Sequence, residues 1–162
     1  MSFSFVELAK LGLRVHYRRS AQPAVADGAP PSSSSSDKLP LLLLHGFMGS
    51  IFEFRHLFAA WEAQQRDVIA MDRPGSGLTT LLPSATATTA TSTTGQQPIF
   101  AKEGQRVWGQ QACVHVVIAF LDAIGVSKCV LVAHSMSGGL ALLLATQHPE
   151  VRRIVFRLGN FK

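Results

Sequence analysis

The chain has 162 residues, 47% of them hydrophobic and 15% charged, which fits one globular domain with a sizeable core and excludes wholesale disorder. Its formal charge of +5 and pI near 9.8 come from scattered basic residues, with only Arg18-Arg19 and Arg152-Arg153 adjacent, so no nucleic-acid surface is expected. The apolar runs fall far short of the ~20 residues that span a bilayer. The N-terminus lacks a basic segment followed by an apolar one, so the expectation is a cytoplasmic protein with no membrane span.

In chain order, residues 3–8 and 13–18 read as two strands joined near Gly12, the second alternating Leu13, Val15 and Tyr17 against Arg14, His16 and Arg18. Residues 21–38 are Pro/Ser/Ala-rich and have nothing to bury, which marks a low-complexity surface insertion. The apolar run 39–44 predicts a strand buried on both faces. Residues 53–64 follow as a helix with Phe54, Leu57, Phe58 and Trp61 on one side. A strand over 67–71 ends in the Pro/Gly turn Asp72–Gly77, and the Thr/Ala/Ser-rich stretch 78–98 reads as a second insertion.

A long helix is expected over 103–124, its apolar face carried by Val107, Cys113, Val117, Phe120, Leu121 and Ile124, with Gly125 as its cap. A strand over 128–133, a helix over 137–148 stopped by Pro149 and a strand over 151–156 complete the order. Such alternation implies an α/β fold, a mostly parallel sheet with helices on both faces. Cys113 and Cys129 lack CxxC spacing and read as two buried thiols. No histidine and acid cluster has metal-ligand spacing, so neither metal nor cofactor is expected.

Three strand ends carry motifs. "LLLLHGFMGS" ends one strand in His45-Gly46-Phe47, "AMDRPGSG" ends the next, and "LVAHSMSGGLALLLA" places Ser135 between strand and helix. In this order they resemble the α/β-hydrolase superfamily: its HGF oxyanion loop, its DRPGxG turn and its nucleophile elbow. The resemblance covers about residues 3–156, a single domain with insertions at 21–38 and 78–98. It implies two strands beyond the sixth one predicted here, so the fold would lack its C-terminal strands and helices.

The chemistry explains the residue types. A serine hydroxyl is a poor nucleophile, so a site must expose it, stabilise the oxyanion and take its proton. A tight strand-to-helix turn lifts the side chain clear, and the helix N-terminus aims unpaired N–H groups at developing negative charge. The resemblance implies Ser135 as nucleophile, the backbone N–H groups of Phe47 and Met136 as the oxyanion hole, and His45 and Gly46 as residues that shape the loop. It makes Asp72 a structural carboxylate holding its own turn and His134 a pocket or packing residue; His56 and His115 read as ordinary surface or satisfied histidines.

Small residues belong two places before and after the serine, and here they are Ala133 and Ser137, where the family most often has glycine. Serine rather than aspartate disfavours epoxide or haloalkane chemistry and points to ester, thioester or carbon–carbon bond hydrolysis of a small-molecule acyl substrate. The family's acid and histidine follow the serine, yet only His148 and Glu150 do so here, at the far end of the elbow helix. The isolated chain is therefore expected to be nearly inactive. The alternative is a non-catalytic hydrolase-like protein that binds a ligand or partner, with self-association through an exposed sheet edge.

Overall fold

The leucine run Leu41–Leu44 (β3) lies inside the sheet and is buried along its whole length, as its lack of alternation predicts. A computed structural model describes residues 3–20, 39–82, 109–149 and, for their backbone, 154–157. The other strands are β1 (Ser4–Leu8), β2 (Leu13–Arg19), β4 (Val68–Met71), β5 (Thr80–Leu81), β6 (Val130–His134) and β7 (Ile154–Arg157). The helices are α1 (Arg55–Glu62), α2 (Gln110–Ala123) and α3 (Ser137–Gln147). The spatial order is β1-β2-β4-β3-β6-β7, with β5 beside β2. β4, β3, β6 and β7 run parallel, while the β1/β2 hairpin joins antiparallel to β4.

Strand periodicity then sorts the core into two layers. Leu42, Leu44, Ile69, Met71, Leu131 and Ala133 pack on one side with Val117 and Phe120 of α2 and Leu140 and Leu144 of α3. Leu41, Leu43, Val68 and Ala70 pack on the other with Phe54 and Phe58. Helices cover both faces, as the α/β alternation requires. Register brings the C-terminal ends of β3, β4 and β6 together, with Leu44 opposite both Met71 and Ala133. The three motif loops therefore leave the sheet side by side.

Several boundaries differ from the sequence reading. The helix expected over 53–64 is a 3-10 turn at Ile51–Phe54 followed by α1, with the Ser50 hydroxyl accepting from the Phe52 N–H at 3.3 Å. The described part of the long helix begins at Gln110, so Val107 lies outside the described residues, as do the insertion 21–38 and residues 83–98. The second insertion was expected to begin at Leu78, yet Thr79 is buried and Thr80–Leu81 pairs with Leu13–Arg14. The physical reason is that β4 meets β2 only at Tyr17–Arg19, leaving the start of β2 in need of a partner on the side away from β1.

The polar side of β2 is partly covered, with Arg14 exposed. His16 is buried between the rings of Phe3 and Phe5, and the Arg18 guanidinium stacks 3.8 Å above the ring of Phe58. Both cysteines are buried thiols, and burial pushes Cys129 up to about 12. Among the described residues, no helix is long and apolar enough to cross a membrane. Phe58 is fully buried between α1 and the sheet, so Phe58→Ala should cost about 3–5 kcal/mol of stability in a urea melt.

Candidate active site

β6 delivers the chain to a strained turn. Ser135 has φ 51°, a left-handed conformation that L residues rarely adopt, and its side chain is exposed between β6 and α3. The strain persists because both flanks are held. Ala133 is buried in the sheet, and the Gly138 N–H donates to the Ser135 carbonyl at 2.9 Å. Ser137 uses its extra atom rather than merely fitting: it is fully buried, and its hydroxyl donates to the His45 carbonyl at 2.5 Å. From α2, the Gln110 side-chain amide donates to the Met136 carbonyl at 3.0 Å. The elbow is thus tied to the loop after β3 and to the neighbouring helix.

That loop is a turn from Gly46 to Gly49, with Met48 at φ 53°. Its key peptide is the Gly46–Phe47 bond, whose carbonyl and N–H point in opposite directions because the peptide is planar and trans. The Gly46 carbonyl accepts from the Gly49 N–H at 3.2 Å and lies 2.9 Å from His45 Nδ1. The Phe47 N–H must therefore face away from both. On the other side of its ring, His45 Nε2 accepts from the Arg73 N–H at 3.1 Å. Those two partners assign the neutral Nδ1–H tautomer, and burial accordingly holds the imidazole below its ordinary pKa. A Cβ placed on Gly46 would stand 3.4 Å from Ser135 Cβ and 3.0 Å from His134 Nδ1, so the loop lies directly against the elbow.

The third loop is organised by Asp72, which is 1% exposed. Its Oδ1 accepts from the Ile51 N–H at 2.7 Å; its Oδ2 accepts from the Leu78 N–H at 2.9 Å and lies 2.7 Å from His16 Nδ1. The carboxylate holds its own turn as expected, and it also holds β2 and the segment before α1. Within the turn, the Ser76 N–H returns to the Arg73 carbonyl at 3.0 Å, with Pro74 and then Gly75 (φ 78°) at its corner, the arrangement of a type II turn. Gly77 has φ 54°, and any Cβ there would overlap the Asp72 carboxylate.

The predicted residues are therefore brought together at one sheet end: Ser135, Met136 and Phe47 are exposed there, and His45 and Gly46 shape the loop. His56 and His115 are exposed on their helices, His148 lies at the opposite end of α3, and Glu150 is outside the described residues. Three contributors went unnoticed in the sequence. The alternation of β2 names no role for His16, while Glu53 falls at the start of the expected helix and Thr79 within the expected insertion. Glu53 pairs with His134, Nδ1 to Oε1 at 2.5 Å, and accepts from the Gly46 N–H at 3.2 Å. The only sequence signal for it was its position one turn after the loop it holds.

A family model for the alpha/beta hydrolase fold matches residues 40–160. The chain belongs to the α/β-hydrolase family. Among curated relatives, this family member is 28% identical over 147 residues to epoxide hydrolase 4 of Mus musculus, covering 91% of the chain and 32% of the relative. It is 31% identical over 119 residues to 2-hydroxymuconate semialdehyde hydrolase of Pseudomonas sp. (strain CF600), covering 72% of the chain and 35% of the relative. Among solved structures, an epoxide hydrolase of Vigna radiata superposes with a TM-score of 0.65 at 19% identity, covering 99% of the chain and 41% of that structure. The chain thus spans about a third of the length of the curated relatives it matches.

Two outcomes test this geometry. Because His45 is held below its ordinary pKa when folded, the unfolded chain binds more protons as pH falls past about 6.5. This contribution to stability is complete above that pH and is lost progressively below it; His45→Asn should flatten that part of a Tm-against-pH curve. Gly77→Ala combines a left-handed backbone with a clash against Asp72, and should lower stability by more than about 1 kcal/mol in denaturant melts.

Proposed function

We propose that Ser135 is the nucleophile of a hydrolase that opens an ester, thioester or carbon–carbon bond through an acyl-enzyme. The Phe47 and Met136 N–H groups stabilise the oxyanion. The observation that carries this reading is Ser135 itself, exposed at φ 51° on the elbow with the Gly46–Phe47 loop against it. Curated relatives include both epoxide and semialdehyde hydrolases by name. The serine favours the acyl route, since the family branches that open epoxides place aspartate at the elbow. Such chemistry calls for no metal or cofactor.

The proton of Ser135 needs a base. Only His148 and Glu150 follow Ser135 within the 162 residues, and α3 separates His148 from the serine by roughly 16 Å at 1.5 Å per residue. His134, next in sequence, is turned toward Glu53. His148 and His134 are thus not placed to take the Ser135 proton, so slow turnover is the expected behaviour of these 162 residues. Loss of the base in another serine hydrolase costs about 10⁶ in turnover, while oxyanion stabilisation alone retains about 10³–10⁴ over water.

A serine-directed fluorophosphonate probe on the purified chain and on Ser135→Ala tests the reading. Slow labelling that disappears in the variant is the expected result. Equal, negligible labelling of both would favour the alternative, a hydrolase-like binding protein that associates through β7, which pairs only with β6 among the described residues.

A further inference from the structure

Glu53 has no part in the chemistry proposed above, yet its two carboxylate oxygens reach the two elements that matter most. It precedes α1, and its side chain is 21% exposed. Oε2 accepts from the Gly46 N–H at 3.2 Å, and Oε1 lies 2.5 Å from Nδ1 of His134, the last residue of β6 and the neighbour of Ser135. The seat is close: a Cβ on Gly49 would come within 2.6 Å of Oε2, and a Cβ on Gly46 within 3.0 Å of His134 Nδ1. Two glycines thus leave room for a carboxylate and an imidazole between the loop and the elbow.

We infer that Glu53 is a positioning residue: by bridging Gly46 and His134 it sets where the Phe47 N–H stands relative to Ser135. The proposed oxyanion donors come from different elements, the β3 loop and the α3 N-terminus, and nothing covalent nearby fixes their separation. A misplacement of about 1 Å in such a site can cost about 10²-fold in rate. The Gly46 peptide groups are gripped on both sides, the carbonyl by His45 and Gly49 and the N–H by Glu53. Oε1 and His134 Nδ1 are in direct contact at 2.5 Å, so the second carboxylate oxygen reaches the end of β6. The Ser137–His45 bond is a second tie between the same elements, so losing Glu53 loosens the site without dissolving it.

The kinetic consequence rests on the acyl-enzyme reading; the bridge does not, and one experiment separates them. Backbone hydrogen exchange at Gly46 and Phe47, and the rate of fluorophosphonate labelling, are measured on the 162-residue chain, Glu53→Ala, His134→Ala, the double variant and Glu53→Gln. Glu53→Ala should speed exchange at the Gly46 amide about tenfold and slow labelling by a similar factor, less than the 10²–10³ of losing a donor outright. The double variant should be no worse than the more severe single one, because both act through one bridge. Glu53→Gln should restore both readouts, its amide oxygen accepting from Gly46 and its N–H donating to His134 Nδ1. Unchanged exchange in Glu53→Ala, additive effects, or labelling indifferent to Glu53 in a labelling-competent parent would overturn the inference. Negligible labelling of the parent, with exchange responding as stated, would count against the acyl-enzyme reading and leave the bridge standing. Should Glu53→Ala fail to fold, His134→Ala and Glu53→Gln carry the same comparison.

Discussion

The buried carboxylate of Asp72 is the constraint on which the rest of the site depends. A charge with 1% exposure is tolerable only if its lone pairs are filled. Asp72 meets that condition with two backbone N–H groups and the ring of His16. The partners come from three parts of the chain: β2, the segment before α1 and the turn after β4. Satisfying one charge therefore ties one strand to two loops, including the start of the turn that carries Glu53. Removing any partner would leave a buried charge short of a donor, which makes the loops interdependent.

On that base the site stores strain at two points, Met48 and Ser135, both left-handed without being glycine. Each is over-determined by neighbours. Gly49 closes the turn over Met48, while Gly138 holds Ser135 from α3. Ser137 and His45 then join the two strained turns across the sheet end. The serine that replaces the usual glycine is not a defect in the elbow. It converts a close approach into a hydrogen bond, with the hydroxyl filling an acceptor that a glycine would leave to other partners.

Much of the fold was legible in the sequence. The strands expected over 39–44, 67–71 and 128–133 stand in the sheet as β3, β4 and β6, and the stripes at Phe54/Phe58 and Val117/Phe120/Leu121 pack on it. The three motif loops were also readable, because His-Gly-Phe, Asp-Arg-Pro-Gly and Ala-His-Ser are local patterns at strand ends. Less visible were interactions whose partners lie far apart in sequence. The burial of His16 was not legible because alternation says which residues share a face, and not what covers that face. Thr79 looked like part of a low-complexity stretch because composition is blind to an unpaired strand edge 66 positions earlier, where Leu13 pairs with Leu81 two residues beyond Thr79.

The sequence by itself determined the family, the buried strands, the order of the three loops and the identity of the serine at the elbow, since each depends on residue type and short-range spacing. Only the tertiary structure decided which polar groups meet between those loops: Asp72 with His16 and Ile51, Ser137 with His45, and Glu53 with both Gly46 and His134. The physical reason is that a buried polar group must find a partner wherever the fold provides one. Parallel strand register, set by hydrophobic burial along β3, β4 and β6, made those partners neighbours.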